Sequence, residues 1–153
     1  MKFKTTVILF ALFLALLAAV LFFESKEKAR KGKEEKLVSL PSDSIQKISF
    51  KKEEGTMTFQ KDEKGEWLIT EPIQAKADKY EVDRIAQDFS DLKIERVVET
   101  QAKSLEKYEI PKKEITLWYK DKEKPVKIFI GVENPLDSTF FAKKEEETRV
   151  VLI

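Results

Sequence analysis

The stretch ISFKKEEGTMTFQKDEKGEWLIT, residues 48–70, decides how the folded part of this chain is built. Ile48 and Phe50, Met57 and Phe59, and Trp67 and Ile69 each alternate with mainly polar neighbours. A period of two sends successive side chains to opposite faces of a strand, so each pair marks one inward face. Glu54-Gly55 and Lys64-Gly65 supply turn residues between the pairs. Three short strands joined by two tight connections predict an antiparallel meander, buried on one side and wet on the other.

Downstream the period changes to that of a helix. Asp78 stands where an N-cap belongs, and Glu81, three residues on, is placed to reach back as in a capping box. Val82, Ile85, Ala86, Phe89 and Leu92 form one apolar face, with Asp83, Arg84, Gln87 and Asp88 outside it. Residues 94–98 are expected to form a further strand, and residues 104–108 a short helical turn before Pro111. Ile115, Leu117 and Tyr119 then alternate with Thr116, Trp118 and Lys120. Residues 121–125 turn the chain into Val126, Ile128 and Ile130, a strand that ends at Gly131. Residues 140–143 and 149–153 read as another hairpin. The expected fold is α+β: one main helix covering an antiparallel sheet made of a meander and further hairpins. The last strand runs to the final residue with no polar tail, which reads either as one unit of a longer chain or as a strand closing against a partner.

Ahead of all this lie seventeen consecutive apolar residues, 7–23. At 1.5 Å per residue they cover roughly 26 Å, and Thr5 and Thr6 extend them toward the ~30 Å hydrocarbon core. The predicted organisation is a short basic tail (1–6), a transmembrane anchor (7–23), a charged stalk (24–36) and an α+β domain (37–153). A secretory signal would also begin with Lys2 and Lys4, but its apolar region is shorter and ends at a small-x-small site. Here no two of Ala11, Ala15, Ala18 and Ala19 are two apart, and no Cys follows to take a lipid. We therefore expect a single-pass membrane protein. The signal-like start exports the domain to the extracytoplasmic, periplasmic side, whereas the lysines and arginine of the stalk favour the cytoplasm under the positive-inside rule. We expect export. Ala11, Ala15 and Ala19 share one helix face and are the candidate packing face of the anchor within membrane lipid.

Composition excludes several function classes. Formal net charge is +1 with 37% charged residues, Lys and Glu alternating throughout, so the basic patch that nucleic-acid binding needs is missing. There is no Cys and no His, which removes disulfides, thiolates and the commonest general base and metal ligand. Glu133, Asn134 and Asp137 offer oxygen atoms but lack the spacing of a calcium loop, and they read as a turn. We expect no cofactor, no metal and no enzymatic activity; a carboxylate-based envelope hydrolase is the weakest alternative.

The segment Trp67-Leu68-Ile69-Thr70-Glu71-Pro72 precedes Ala77-Asp78, the helix, Val97-Val98, Tyr108-Glu109-Ile110-Pro111, the strand ending Ile130-Gly131, and residues 135–142. This order, over residues 37–153, resembles the bacterial family labelled domain of unknown function 4340. The resemblance implies a membrane anchor, one or more copies of this α+β unit, and a cell-envelope setting beside ABC-type transporters of the gliding-motility kind. It carries over no catalytic residue. The family commonly has Gly where Glu109 stands, so a different turn is expected there. Physically, Trp67 should cap the core beside Ile69, and Pro72 should end its strand because it has no N–H to donate. Trp118 lies on the face opposite Ile115, Leu117 and Tyr119, which makes it the candidate partner contact. The expected function is a membrane-tethered, non-catalytic binding or scaffold module accessory to a transporter or envelope complex. The alternative is a cytoplasm-facing assembly subunit of an ABC-type transporter. Neither reading fixes the partner or whether the chain forms homo-oligomers.

Overall fold

The computed structural model describes residues 13, 16, 17, 35–120 and 122–153. Phe13, Leu16 and Leu17 are helical and exposed. The rest of the anchor expected over 7–23, including Ala11, Ala15 and Ala19, lies outside the described residues. Among the described residues no helix is long and apolar enough to cross a membrane. The folded unit is Glu35–Ile153.

The described residues of this unit form nine antiparallel strands and one α-helix. The meander is β1 (Ile45–Lys52), β2 (Gly55–Lys61) and β3 (Trp67–Glu71), followed by a two-residue strand β4 (Ala75–Lys76). Helix α1 (Lys79–Ser90) leads to β5 (Arg96–Glu99) and a 3-10 turn at Glu106–Tyr108. Strands β6 (Lys113–Tyr119), β7 (Val126–Glu133), β8 (Phe140–Lys144) and β9 (Val150–Leu152) complete the chain. The sheet order is β4-β3-β2-β1-β6-β7-β8-β9-β5, so β1 and β2 lie between β3 with β4 on one side and β6 to β9 with β5 on the other. The fold is α+β and mostly β.

Register follows the alternation. Ile48 pairs with Phe59 and Phe50 with Met57, while across the other edge of β1 Ile48 pairs with Leu117 and Phe50 with Ile115. These residues share the face that α1 covers through Val82, Ile85, Ala86 and Phe89, forming the main core with Val126, Ile128, Ala142 and Val151. Trp67 is only 2% exposed, deeper than a cap on the core's rim. Pro72 follows the last residue of β3 and is preceded by a cis peptide bond.

Two details of α1 refine the expectation. The Asp78 carboxylate accepts from the backbone N–H groups of Tyr80 (2.9 Å) and Glu81 (3.2 Å), as an N-cap should. The Glu81 carboxylate turns the other way and accepts from the Arg84 guanidinium at 2.7 Å. Glu81 is exposed, and this local ion pair takes the place of the reciprocal cap bond. Asp83, placed outside by helical periodicity, instead accepts from the Trp67 indole N–H at 2.8 Å and so joins the helix to the meander.

The segment entering the unit is part of the fold. Leu37 and Val38 are each 3% exposed, and the Leu37 and Leu40 N–H groups donate to the carbonyls of Leu92 and Ser90. The Ile94 N–H donates to the Glu35 carbonyl at 2.7 Å, and Lys36 pairs with Asp91. Residues 35 and 36, the last of the stretch read as a stalk, thus belong to the folded unit.

Candidate functional site

The sheet's second face is covered along only part of its width. Tyr108 and Ile110, held by the 3-10 turn, pack with Leu105 and Ala102 against Phe129, Phe141, Val98 and Val150. Tyr108 and Phe141 bring their rings to 4.8 Å between centroids. This layer requires Gly131: a Cβ there would lie 2.0 Å from the Tyr108 carbonyl oxygen and 2.8 Å from Ile110. The turn that delivers Tyr108 closes on Glu109, whose φ is +49° and ψ 40°. A left-handed residue is what a glycine would supply at this point, and Glu109 adopts it without one.

On β2, β1 and β6 the same face carries Lys47, Ser49, Thr58, Thr116 and Trp118, none of which belongs to either apolar cluster. Pairing across β1 sets Gln60, Lys47 and Trp118 in one row and Thr58, Ser49 and Thr116 in the next. Lys47 holds its ammonium 4.9 Å from the centre of the Trp118 ring, within the range of a cation–π contact. Trp118 is half-buried, on the face where alternation placed it. The hydroxyl row is satisfied internally. Thr58 donates to the Glu71 carboxylate at 2.6 Å and lies 3.2 Å from the Ser49 hydroxyl, while Thr116 donates to Glu114 at 3.3 Å. Lys127, the next residue along this row, pairs with Glu145 at 3.0 Å, which raises its pKa.

A second feature opens on the helix-covered face. Phe50, Met57 and Pro72 line a groove of about 410 Å³ with Lys52, Glu54, Gly55 and Thr56. Phe50 stacks on Phe89 near the C-terminal end of α1, with 5.6 Å between ring centroids, and the helix reaches no further over the groove. Met57 is 47% exposed and Ile73, next to Pro72, 64%.

The oxygen-rich loop after Gly131 is a closed turn. The Asn134 amide donates to Asp137 at 2.7 Å, and the Thr139 hydroxyl and N–H also donate to Asp137. Those bonds, that of Thr139 first, hold the Asp137 carboxyl below its ordinary range. Among the described residues no three His, Cys, Asp or Glu side chains stand close enough to hold a metal ion. Other displaced groups sit in ion pairs: Lys107 lowers Glu99 and is raised by it, and Glu147 raises Arg149. Tyr119 is different. Its hydroxyl is buried and has no hydrogen-bond partner among the described residues, and that desolvation pushes its pKa up to about 12. Alternation placed this side chain inward, but no sequence signal marked its hydroxyl as unpaired.

The Trp67-to-Pro72 strand end, the capped helix, the turn at Tyr108 and the strand closing on Gly131 are now all in place. Residues 67–153 match the family described as domain of unknown function (DUF4340). The chain belongs to this family. No curated protein and no solved structure is significantly similar to it. The match begins at the first residue of β3, later than the resemblance over 37–153 implied. Yet β1 and β2, which precede it, join β3 to β6 in the sheet.

Proposed function

We propose that this protein is a membrane-tethered, non-catalytic binding module of the bacterial cell envelope, accessory to a transporter or envelope complex. The observation that carries this reading is Trp118 lying under Lys47, on sheet face that neither apolar layer occupies. Half-buried aromatics flanked by a lysine stem supply large contact area at low entropic cost, which is what a protein-binding patch uses. The apolar run at 7–23 supports tethering. Confinement beside a bilayer raises effective concentration, so a modest patch suffices.

A photo-crosslinking residue at Gln60, beside Lys47 in register, tests the patch in intact membranes. Discrete adducts with one or a few envelope proteins are expected, reduced at least fivefold by Trp118→Ala. Adducts indifferent to Trp118→Ala would refute the assignment of the patch. Deletion of 7–23 should abolish activity in cells; full activity of the untethered protein would refute tethering. Reporters fused after Lys36 that work on one side of the membrane only separate the exported domain from a cytoplasm-facing subunit.

A further inference from the structure

The groove between the β1–β2 turn and the end of α1 is not used by the Trp118 patch, and it lies at the end of α1 where the folded unit begins. The chain enters the folded unit at Glu35, whose carbonyl is bonded to Ile94, just past the C-terminal end of α1. The same end of α1 carries Phe89, in contact with Phe50 of the groove. Residues 24–34 span at most roughly 40 Å even when fully extended, so a retained anchor keeps this end of the unit within that distance of the bilayer.

We propose that the groove end of the domain seats on the bilayer surface, with Met57 and Ile73 entering the interfacial region. This rests on the tethering proposed above. Phe50, Met57 and Pro72, with exposed Ile73 alongside, suit an apolar cover, and with the anchor retained the surface within reach is lipid. The surroundings suit that surface. Lys51, Lys52, Lys112 and Lys113 gather beside the groove around Pro111, where long stems cover apolar area while their ammonium groups stay among headgroups. Glu53 and Glu114 stand with them, and Glu54 lines the groove. The lysines are thus balanced, and apolar seating rather than attraction to anionic lipid holds the domain.

The chain contains no Cys, so one introduced Cys can be labelled cleanly. The full chain, reconstituted in phosphatidylcholine vesicles carrying a lipid-borne quencher, would bear an environment-sensitive fluorophore at Ile73→Cys or, as control, at Tyr80→Cys. Tyr80 is 86% exposed in the first turn of α1, at the opposite end of the helix. The Ile73 probe should be quenched at least threefold more than the Tyr80 probe, and Met57→Glu should remove that difference. Adding one-third phosphatidylglycerol should change quenching less than twofold. Flotation with the vesicles but equal quenching at both positions would overturn the seating and leave tethering intact, pointing the groove to a protein partner instead. A requirement for anionic lipid would overturn the apolar basis argued here. Failure to float at all would overturn both readings.

Discussion

Replacing Gly131 by alanine is the sharpest probe of how the second layer is held. The added Cβ would stand 2.0 Å from the Tyr108 carbonyl oxygen, where ordinary contact begins near 3.4 Å. The atom it meets is backbone, so no side-chain rotation relieves the clash, and the 105–111 segment must lift by more than an ångström. Lifting uncovers Tyr108 and Ile110, which are 6% and 7% exposed. Full exposure of two such side chains costs about 3–6 kcal/mol, and a partial lift about 2–4 kcal/mol. Against a typical total of ~5–15 kcal/mol this is a large fraction. Urea titration of the full chain in a non-ionic detergent, followed by the fluorescence of buried Trp67 and half-buried Trp118, should show the midpoint fall accordingly. Hydrogen exchange supplies the local check. The Lys112 N–H, bonded to the Ile130 carbonyl at 2.9 Å, should exchange much faster in the variant. A stability change under ~0.5 kcal/mol with Lys112 protection unchanged would refute the close approach of Gly131 to Tyr108.

Substitutions at three further positions test other parts of the argument. Tyr119→Phe removes a buried hydroxyl that has no partner among the described residues, so stability at pH 7 should rise by about 1 kcal/mol. Because the folded pKa of about 12 lies above the ordinary 10, the native state keeps a proton that the unfolded chain has lost. Stability present below pH 10 therefore drains away as pH rises toward 12, and the variant should lose less between pH 8 and 11; a wild-type advantage at pH 7 would count against an unpaired hydroxyl. Asp83→Ala strands the Trp67 indole N–H inside the core and should cost about 2 kcal/mol, with Asp83→Asn milder because an acceptor remains; equal stability of all three proteins in urea would show the bond to be idle. Glu109→Gly relieves a positive φ at the expense of an exposed ion pair with Lys112 (3.2 Å) that contributes little. A gain of up to ~1 kcal/mol is expected, and a loss in thermal unfolding would mean that Glu109 is unstrained.

What was legible in the sequence was local. The alternation of Ile48, Phe50, Met57, Phe59, Trp67 and Ile69 gave the meander its strands and its inward face, because a half-buried strand cannot hide its period. The cap at Asp78 and the stripe from Val82 to Phe89 gave the helix for the same reason. Partners far apart in the chain were not legible. The pairing of β1 with β6 joins Ile48 to Leu117, and no local pattern specifies which distant edge a strand will choose. The two residues of β4 are too few to show a period, and they pair only with Leu68 and Ile69. Asp83 was placed outside by helical geometry, which knows nothing of an indole arriving from β3. Gly131 was recognisable as part of a motif, but its physical reason, the Tyr108 carbonyl, comes from a turn more than twenty residues upstream. The candidate site was half legible. The face of Trp118 followed from alternation, whereas its lysine lid depends on the β1–β6 register.

The strand order bears on how the family region works as a structure. Within the matched residues, β3 and β4 form one block of the sheet and β6 to β9 with β5 another; in the strand order β1 and β2 stand between the two. Without that pair, the β3 and β6 edges would each present unpaired backbone groups, and the inward face of Ile115 and Leu117 would lose its β1 neighbours. The same pair supplies half of each proposed surface. Lys47 of β1 covers Trp118 of β6, and Phe50 and Met57 of β1 and β2 complete the groove that Pro72 closes. Both proposed surfaces are therefore composed across the boundary of the matched region. A fragment starting at Trp67 would lack both the sheet's centre and the residues that we propose meet a partner and the membrane.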